Sequence, residues 1–358
     1  MRAELLRFTT ALLAAPWLSK PRGGHCCCCV GAAVTFGTQE EQRSSLLDAA
    51  EDLSAAGPPP SRLLLVSAFQ DIGRGNWSST ESRRSVDTYF DHFNMLVSNT
   101  DYNVVVYIED SLRARLPQGH ANLWPRSLER IRPSLFSTKY VSTEQEIMQR
   151  VMVSMLCICT ILILISLLAA QYKRMCRKTI HLPEHTNARY NLVNHDKVLF
   201  VQDAARQYAN FTHFAWIDFG GVREPSKAPQ KLDLCMLPHR RILYQAPDDP
   251  FSSKHRGAQQ MLSSWAIYVY GSMWIAPATA IDSYVAAYED QIRKWHQVGV
   301  SDDDQNLIYQ LAHAHPELFS FMIFSEEPDG GWFSLFSDWK RKRNCISCDS
   351  TCSGVELR

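Results

Sequence analysis

The carboxylate best placed to do chemistry in this sequence is Asp218, in the segment HFAWIDFGG (213–221). It follows an apolar run of strand length and precedes Gly220-Gly221, so it is expected to leave a sheet at its rim beside a flexible turn. A carboxylate there can coordinate a hard divalent ion, Mn2+ or Mg2+, that bridges a diphosphate. An aspartate that merely caps the following turn has the same local sequence. A second group is DIGRGNW (71–77). The amides of Gly73 and Gly75 can approach phosphate or ribose oxygens, the Arg74 guanidinium can make charge-assisted contacts to phosphate, and Asp71 can accept from a base or hydroxyl. The spacing is neither GxxxxGK nor GxGxxG, and a tight turn with an exposed arginine is the structural alternative.

The third group is SDDDQN (301–306). Asp302, Asp303 and Asp304 suit the first turn of a helix, where carboxylates meet the positive end of the macrodipole. One of them facing a cleft could instead act as general base on an acceptor hydroxyl, the role open to Asp303 or Asp304. Lys197, Arg83-Arg84 and Arg240-Arg241 are further cations able to contact phosphate. Gly271, between Tyr270 and Trp274, fits sugar stacking or plain core packing equally well.

These loops need a scaffold. Leu63–Phe69 and Asn103–Ile108 are strand-length apolar runs, and Thr80–Asn99 between them carries apolar residues at helical spacing. The pattern resumes with a helix over Lys197–Ala209, strands at Phe214–Ile217 and Arg241–Tyr244, an aromatic segment at Trp265–Pro277, and helices over Ala278–Trp295 and Asp304–His313. This order predicts an α/β fold with a mostly parallel sheet flanked by helices, and ligands at the carboxyl ends of its strands. The Ser54–Ser61 linker, which holds Gly57-Pro58-Pro59-Pro60, marks the boundary between residues 1–61, read as a targeting or disordered extension, and a domain over 62–325. Residues 326–358 form a cysteine-containing tail.

Apolar residues at 46% and charged residues at 21% are compatible with a folded chain, and 37 basic residues balance 37 acidic ones, so no basic face points to nucleic acid. Of the 11 cysteines, the run Cys26–Cys29 and the tail group Cys345, Cys348 and Cys352 do not make a tetrahedral zinc set. One segment breaks the pattern. Residues 151–170, VMVSMLCICTILILISLLAA, carry no charge and are followed by Lys173, Arg174, Arg177 and Lys178. As a helix they would match the roughly 30 Å hydrocarbon core of a bilayer, which would give membrane association. They read equally as a hydrophobic helix inside the domain, or as extra sequence interrupting it.

Several segments carry a resemblance: SAFQDIGRGNW (67–77), Tyr89-Phe90, Val104–Ile108, ARYNLVNHDKVLFVQDA (188–204), AWIDFGGVR (215–223), RRILYQ (240–245) and DDDQNLI (302–308). Together they resemble the bacterial HtrL/YibB family, linked to lipopolysaccharide biosynthesis, over about 62–325 apart from the hydrophobic run. That family resembles nucleotide-sugar glycosyltransferases with a GT-A-like fold. The resemblance implies transfer of a sugar from a nucleoside diphosphate sugar to a hydroxyl of a glycan, glycolipid or other acceptor, assisted by a divalent metal. Asp71, Gly73, Arg74, Gly75 and Lys197 would lie by the nucleotide, Asp218 would hold the metal, and Asp303 or Asp304 would serve the acceptor. The DxD pair usual in such enzymes is Asp218-Phe219-Gly220 here, with one carboxylate. A metal-dependent phosphohydrolase using Asp71 and Asp218, and a non-catalytic sugar or nucleotide binder, are the alternatives.

Overall fold

The short apolar runs assemble into one sheet. In the computed structural model the strands are β1 (Leu63–Phe69), β2 (Val104–Ile108), β3 (Leu123–Ser127), β4 (His213–Ile217), β5 (Ile242–Ala246), β6 (Tyr270–Pro277), β7 (Phe319–Ile323) and the two-residue β8 (Cys345–Ile346). The residues described are 62–77, 83–150, 153, 187–230, 237, 239–252, 267–323, 335–336 and 345–346. Residues 1–61, the run 151–170 apart from Val153, and most of the 326–358 tail lie outside them. Among the described residues no helix is long and apolar enough to cross a membrane.

The strand order is β3-β2-β1-β4-β6-β5-β7-β8. Strands β1, β2, β3 and β4 pair in parallel, as do β5 and β7, whereas β6 is antiparallel to both β4 and β5, and β8 to β7. The architecture is therefore α/β with a mostly parallel sheet, consistent with a GT-A-like fold. The carboxyl ends of β1 to β5 and β7 share one edge, and β6 alone of the long strands begins there. Pro125 is tolerated in β3 because that strand lies at the sheet edge and pairs only with β2.

Alternation along the strands divides the core between two faces. Leu64, Val66, Tyr107, Phe214, Trp216 and Trp274 pack on one face against α4 (Lys197–Gln207), α5 (Ala278–Gln297) and α6 (Asp304–Ala314). Leu65, Val104, Val106, Ala215, Ile217 and Met273 pack on the other against α1 (Val86–Asn99) through Phe90, Phe93, Leu96 and Val97. Each fully buried side chain of this size contributes about 1.5–3 kcal/mol. Helix α1 begins later than its hydrophobic pattern suggested, because the Ser85 hydroxyl caps it by accepting from the Thr88 amide at 3.1 Å. Two short helices, α2 (Phe136–Lys139) and α3 (Ala188–His195), the latter capped by Asn187, also belong to the frame, as does the helical stretch 141–150.

The junction between α3 and α4 buries a histidine beside an aspartate. The His195 Nε2–H donates to the Asp302 carbonyl at 3.0 Å, so Nδ1 accepts from the Tyr288 hydroxyl at 2.8 Å. Burial lowers the His195 imidazole to about 4, and burial raises the Asp196 carboxyl to about 6 against hydrogen bonds from Ser137 and Gln70. The two shifts act oppositely. With its folded pKa depressed, His195 contributes stability above about pH 6.5 that is lost as pH falls through 4. With its folded pKa raised, Asp196 contributes stability at low pH that is lost as pH rises from 3.8 through about 6. Each amounts to roughly 3 kcal/mol over its full window, so together they nearly cancel. Asp196→Asn is therefore expected to be steeply less stable at pH 4.5 than at pH 6.5 relative to wild type, read by urea unfolding. Equal pH slopes in the two proteins would refute this.

Candidate functional site

A cleft with about 850 Å3 of open space lies at the carboxyl ends of β1 and β4. The connection after β1 supplies Gln70, Asp71, Arg74 and Arg84; α1 supplies Tyr89; α3 and α4 supply Tyr190, Asn194 and Lys197; and the end of β4 supplies Trp216, Asp218 and Gly220. Asp71, Arg74, Lys197 and Asp218 thus line one cleft.

The turn after β1 is built by Asp71, whose Oδ1 accepts from the Gly73 amide at 2.8 Å. Gly73 has φ 78°, a left-handed conformation that favours glycine. Gly75 has no such need, since an added Cβ would come no nearer than 3.8 Å to any described atom beyond its chain neighbours. Neither glycine lines the cleft. The turn serves to aim Arg74. Its guanidinium donates to the Tyr89 hydroxyl at 2.7 Å and lies over the rings of Trp77, Tyr190 and Tyr89 at 5.1, 5.6 and 5.9 Å. Close by, burial lowers the Arg223 guanidinium, with Arg84 and Arg74 repelling it, and burial together with Arg223 and Arg84 lowers the His92 imidazole. Arg74 and Arg84 line the cleft with Gly220, and Arg223 lies within electrostatic reach of both, a positive potential suited to a polyanion.

Asp218 is held in place from several sides. Phe219, the next residue, stacks on Phe93 with centroids 4.1 Å apart and packs against Phe69 and Phe90. The Asp218 amide donates to the Ser272 carbonyl at 2.9 Å. Its Oδ1 accepts from the Trp216 indole N–H at 2.8 Å and lies 3.2 Å from the Lys197 ammonium. Lys197 is buried, and its Nζ also donates to Asp304 Oδ2 at 2.8 Å and to the Gly271 carbonyl at 3.2 Å. Burial opposes the lysine charge, but Asp218 and Asp304 more than offset it and hold the ammonium above the usual lysine range. Burial likewise raises the Asp218 carboxyl against Lys197 and Trp216. With 35% of its side chain exposed and an ammonium at 3.2 Å, Asp218 is ionised in this geometry.

The acidic run sits differently from a cleft-facing base. Asp303 is the N-cap of α6, accepting from the Gln305 amide at 3.1 Å, and Asp302 accepts from the Asp303 amide and the Asn306 side chain. Asp304 lies behind Lys197 with only 4% of its side chain exposed. None of the three lines the cleft. Gly271 also finds its reason here. An added Cβ would fall 2.2 Å from Asp304 Oδ2, so only glycine admits that carboxylate, while Tyr270 and Trp274 are core residues rather than a sugar platform.

Among the described residues no group of three or more histidines, cysteines and acids could hold a metal ion. The donors do fit an ion that arrives with a phosphate ligand, because magnesium and manganese sites often use one or two carboxylates plus phosphate oxygens. Asp218 is the partly exposed carboxylate at the strand end, and its Oδ1 carries both the indole and the ammonium contacts.

Arg84 was legible only as one of a weak pair, and Arg223, Tyr190 and Asn194 carried no chemical signal of their own, although all but Arg84 fall inside the segments that carry the resemblance. A family model described as a bacterial protein of unknown function (HtrL_YibB) matches residues 61–150 and 168–340. The interruption falls on the hydrophobic run. No curated protein matches the chain.

Proposed function

The chain belongs to the HtrL_YibB family, and on that premise we propose that it is a glycosyltransferase moving a sugar from a nucleoside diphosphate sugar to an acceptor hydroxyl. The observation that carries this reading is the convergence of Arg74, Arg84, Lys197, Asp71 and Asp218 on one cleft at the carboxyl ends of parallel strands. Cations concentrated beside a carboxylate and aromatic faces suit a diphosphate with a base or sugar attached.

In this mechanism the Arg74 guanidinium, fixed by the Tyr89 hydroxyl and three rings, binds the diphosphate and stabilises the negative charge that grows on the leaving group. Asp218 would hold a divalent ion, Mn2+ or Mg2+, together with the donor's diphosphate, and the ion would supply further charge neutralisation there. Lys197 fixes one Asp218 oxygen, and Asp304 fixes Lys197. The burial of Asp303 and Asp304 makes them positioning residues in this proposal rather than the base for the acceptor.

The test is donor turnover by the full chain across a panel of nucleoside diphosphate sugars with manganese. Asp218→Asn is expected to lower turnover about a hundredfold or more, and Arg74→Ala to weaken nucleoside diphosphate binding. Absence of nucleotide binding by the wild type, or undiminished turnover in Asp218→Asn, would overturn the proposal.

A further inference from the structure

A second depression lies away from the strand-end cleft, over the edge strands β2 and β3. It is lined by Tyr107, Arg113, Arg126, Arg130, Asp203 and Gln207, among others. Tyr107 and Arg126 are register partners across β2 and β3, so their side chains leave the same face of the sheet. Its one carboxylate is already engaged: Asp203 accepts from the Tyr107 hydroxyl at 2.7 Å and from the Gln207 amide.

Among the described residues none of the three arginines makes an ion pair with an acid. Arg126 is held by a tyrosine, its Nε donating to the Tyr208 hydroxyl at 2.7 Å and its guanidinium lying over the Tyr208 ring at 5.2 Å. Arg113 and Arg130 have no ion-pair partner among the described residues. Of the neighbouring acids, Glu109 and Glu129 share Arg132, Asp87 pairs with Arg115, and Asp110, on the same 3-10 turn as Arg113, makes no ion pair among the described residues. Three guanidinium groups line the depression against one carboxylate and leave a concave surface with excess positive charge and forked donors, the arrangement that recognises phosphate oxygens.

We propose that this depression is a second anion site, which takes a phosphomonoester on a ligand distinct from the one in the strand-end cleft. The site uses none of the cleft residues and stands whether or not the transferase reading does. Arg126 is the preorganised contact, and Arg113 and Arg130, both exposed, close on the phosphate from the two 3-10 turns that follow β2 and β3.

The experiment is calorimetric titration of the full chain with glycerol 3-phosphate, and cosedimentation with phosphatidylcholine vesicles with and without phosphatidic acid. The wild type is expected to bind at least one of these phosphomonoesters saturably. Arg113→Gln/Arg130→Gln is expected to weaken that binding about tenfold or more, with thermal unfolding unchanged because both side chains are exposed. Arg74→Ala in the other cleft, and Arg189→Gln on the surface of α3, should leave it unaltered. Binding of the soluble ester alone assigns the phosphate to a small metabolite, and binding only to phosphatidic acid vesicles assigns it to a lipid headgroup. No saturable binding to either probe, an unaltered affinity in the double variant, or an equal loss in Arg189→Gln would overturn the site. A parallel titration with a nucleoside diphosphate reads the strand-end cleft separately.

Discussion

Lys197→Met is expected to destabilise the fold by about 3–5 kcal/mol, the usual consequence of removing one partner from a buried ion pair. Methionine matches the lysine stem in length, so the core loses little packing and the effect isolates the charge. The variant retains the Asp304 carboxylate, buried and without its ammonium, and an Asp218 carboxylate that keeps its indole contact and partial exposure. Most of the cost therefore falls on Asp304. The double variant Lys197→Met/Asp304→Leu is expected to recover much of the stability, because removing both charges leaves no uncompensated ion. Chemical unfolding of the four proteins in the cycle measures this directly. A Lys197→Met protein within about 1 kcal/mol of wild type would show that the pair has far less weight than its burial implies.

The second large effect belongs to a residue with no side chain. Gly271→Ala places a Cβ 2.2 Å from Asp304 Oδ2 and 2.6 Å from its Cγ, so the carboxylate to which Lys197 donates at 2.8 Å must shift. Overpacking of a rigid site and loss of the ion pair act together, so about 3 kcal/mol or more of stability is expected to go. Backbone conformation is not the cause, since Gly271 is not among the positive-φ glycines. Gly75→Ala supplies the contrast: its Cβ would make only ordinary contacts at 3.8 and 3.9 Å on ordinary backbone, and it is expected to be neutral or stabilising by about 0.5 kcal/mol. If denaturant midpoints of the two variants coincide, the steric account of Gly271 is wrong.

The parts of the fold that could be read in the sequence are those whose burial is written in consecutive residues. Strands β1, β2 and β4 are aliphatic or aromatic runs buried on both faces, and they stand where their composition places them. Strand β3 was missed because LWPRS has neither an apolar run nor clean alternation, which an edge position tolerates. Strand β7 was missed because FSFMI follows directly on the His315–Leu318 turn and resembles a continuation of it. The Trp265–Pro277 segment was legible as apolar but not as a reversed strand, because direction depends on partners distant in sequence.

The same division runs through the candidate site. Asp71, Arg74 and Asp218 could be found because each follows a strand and a ligand site is expected there. The link from Lys197 to Asp304 spans 107 positions and the link to Gly271 spans 74, and no local pattern encodes either. For that reason Asp303 and Asp304 could be read only as a helix start or as a cleft-facing base. The folded chain gives Asp303 the first role and Asp304 a third one, as the buried counter-ion of Lys197.

The reversal of β6 has a consequence for the alignment of the whole sheet. Because this strand begins at the rim, Gly271 and Ser272 lie opposite Lys197 and Asp218. A slip of β6 by one residue against β4 would bring Tyr270 or Ser272 to the place where only a glycine fits beside Asp304, and would turn the strand's two faces over. The ion triad thus works as a register lock at the centre of the sheet: it closes only when the central strands are aligned as they are here.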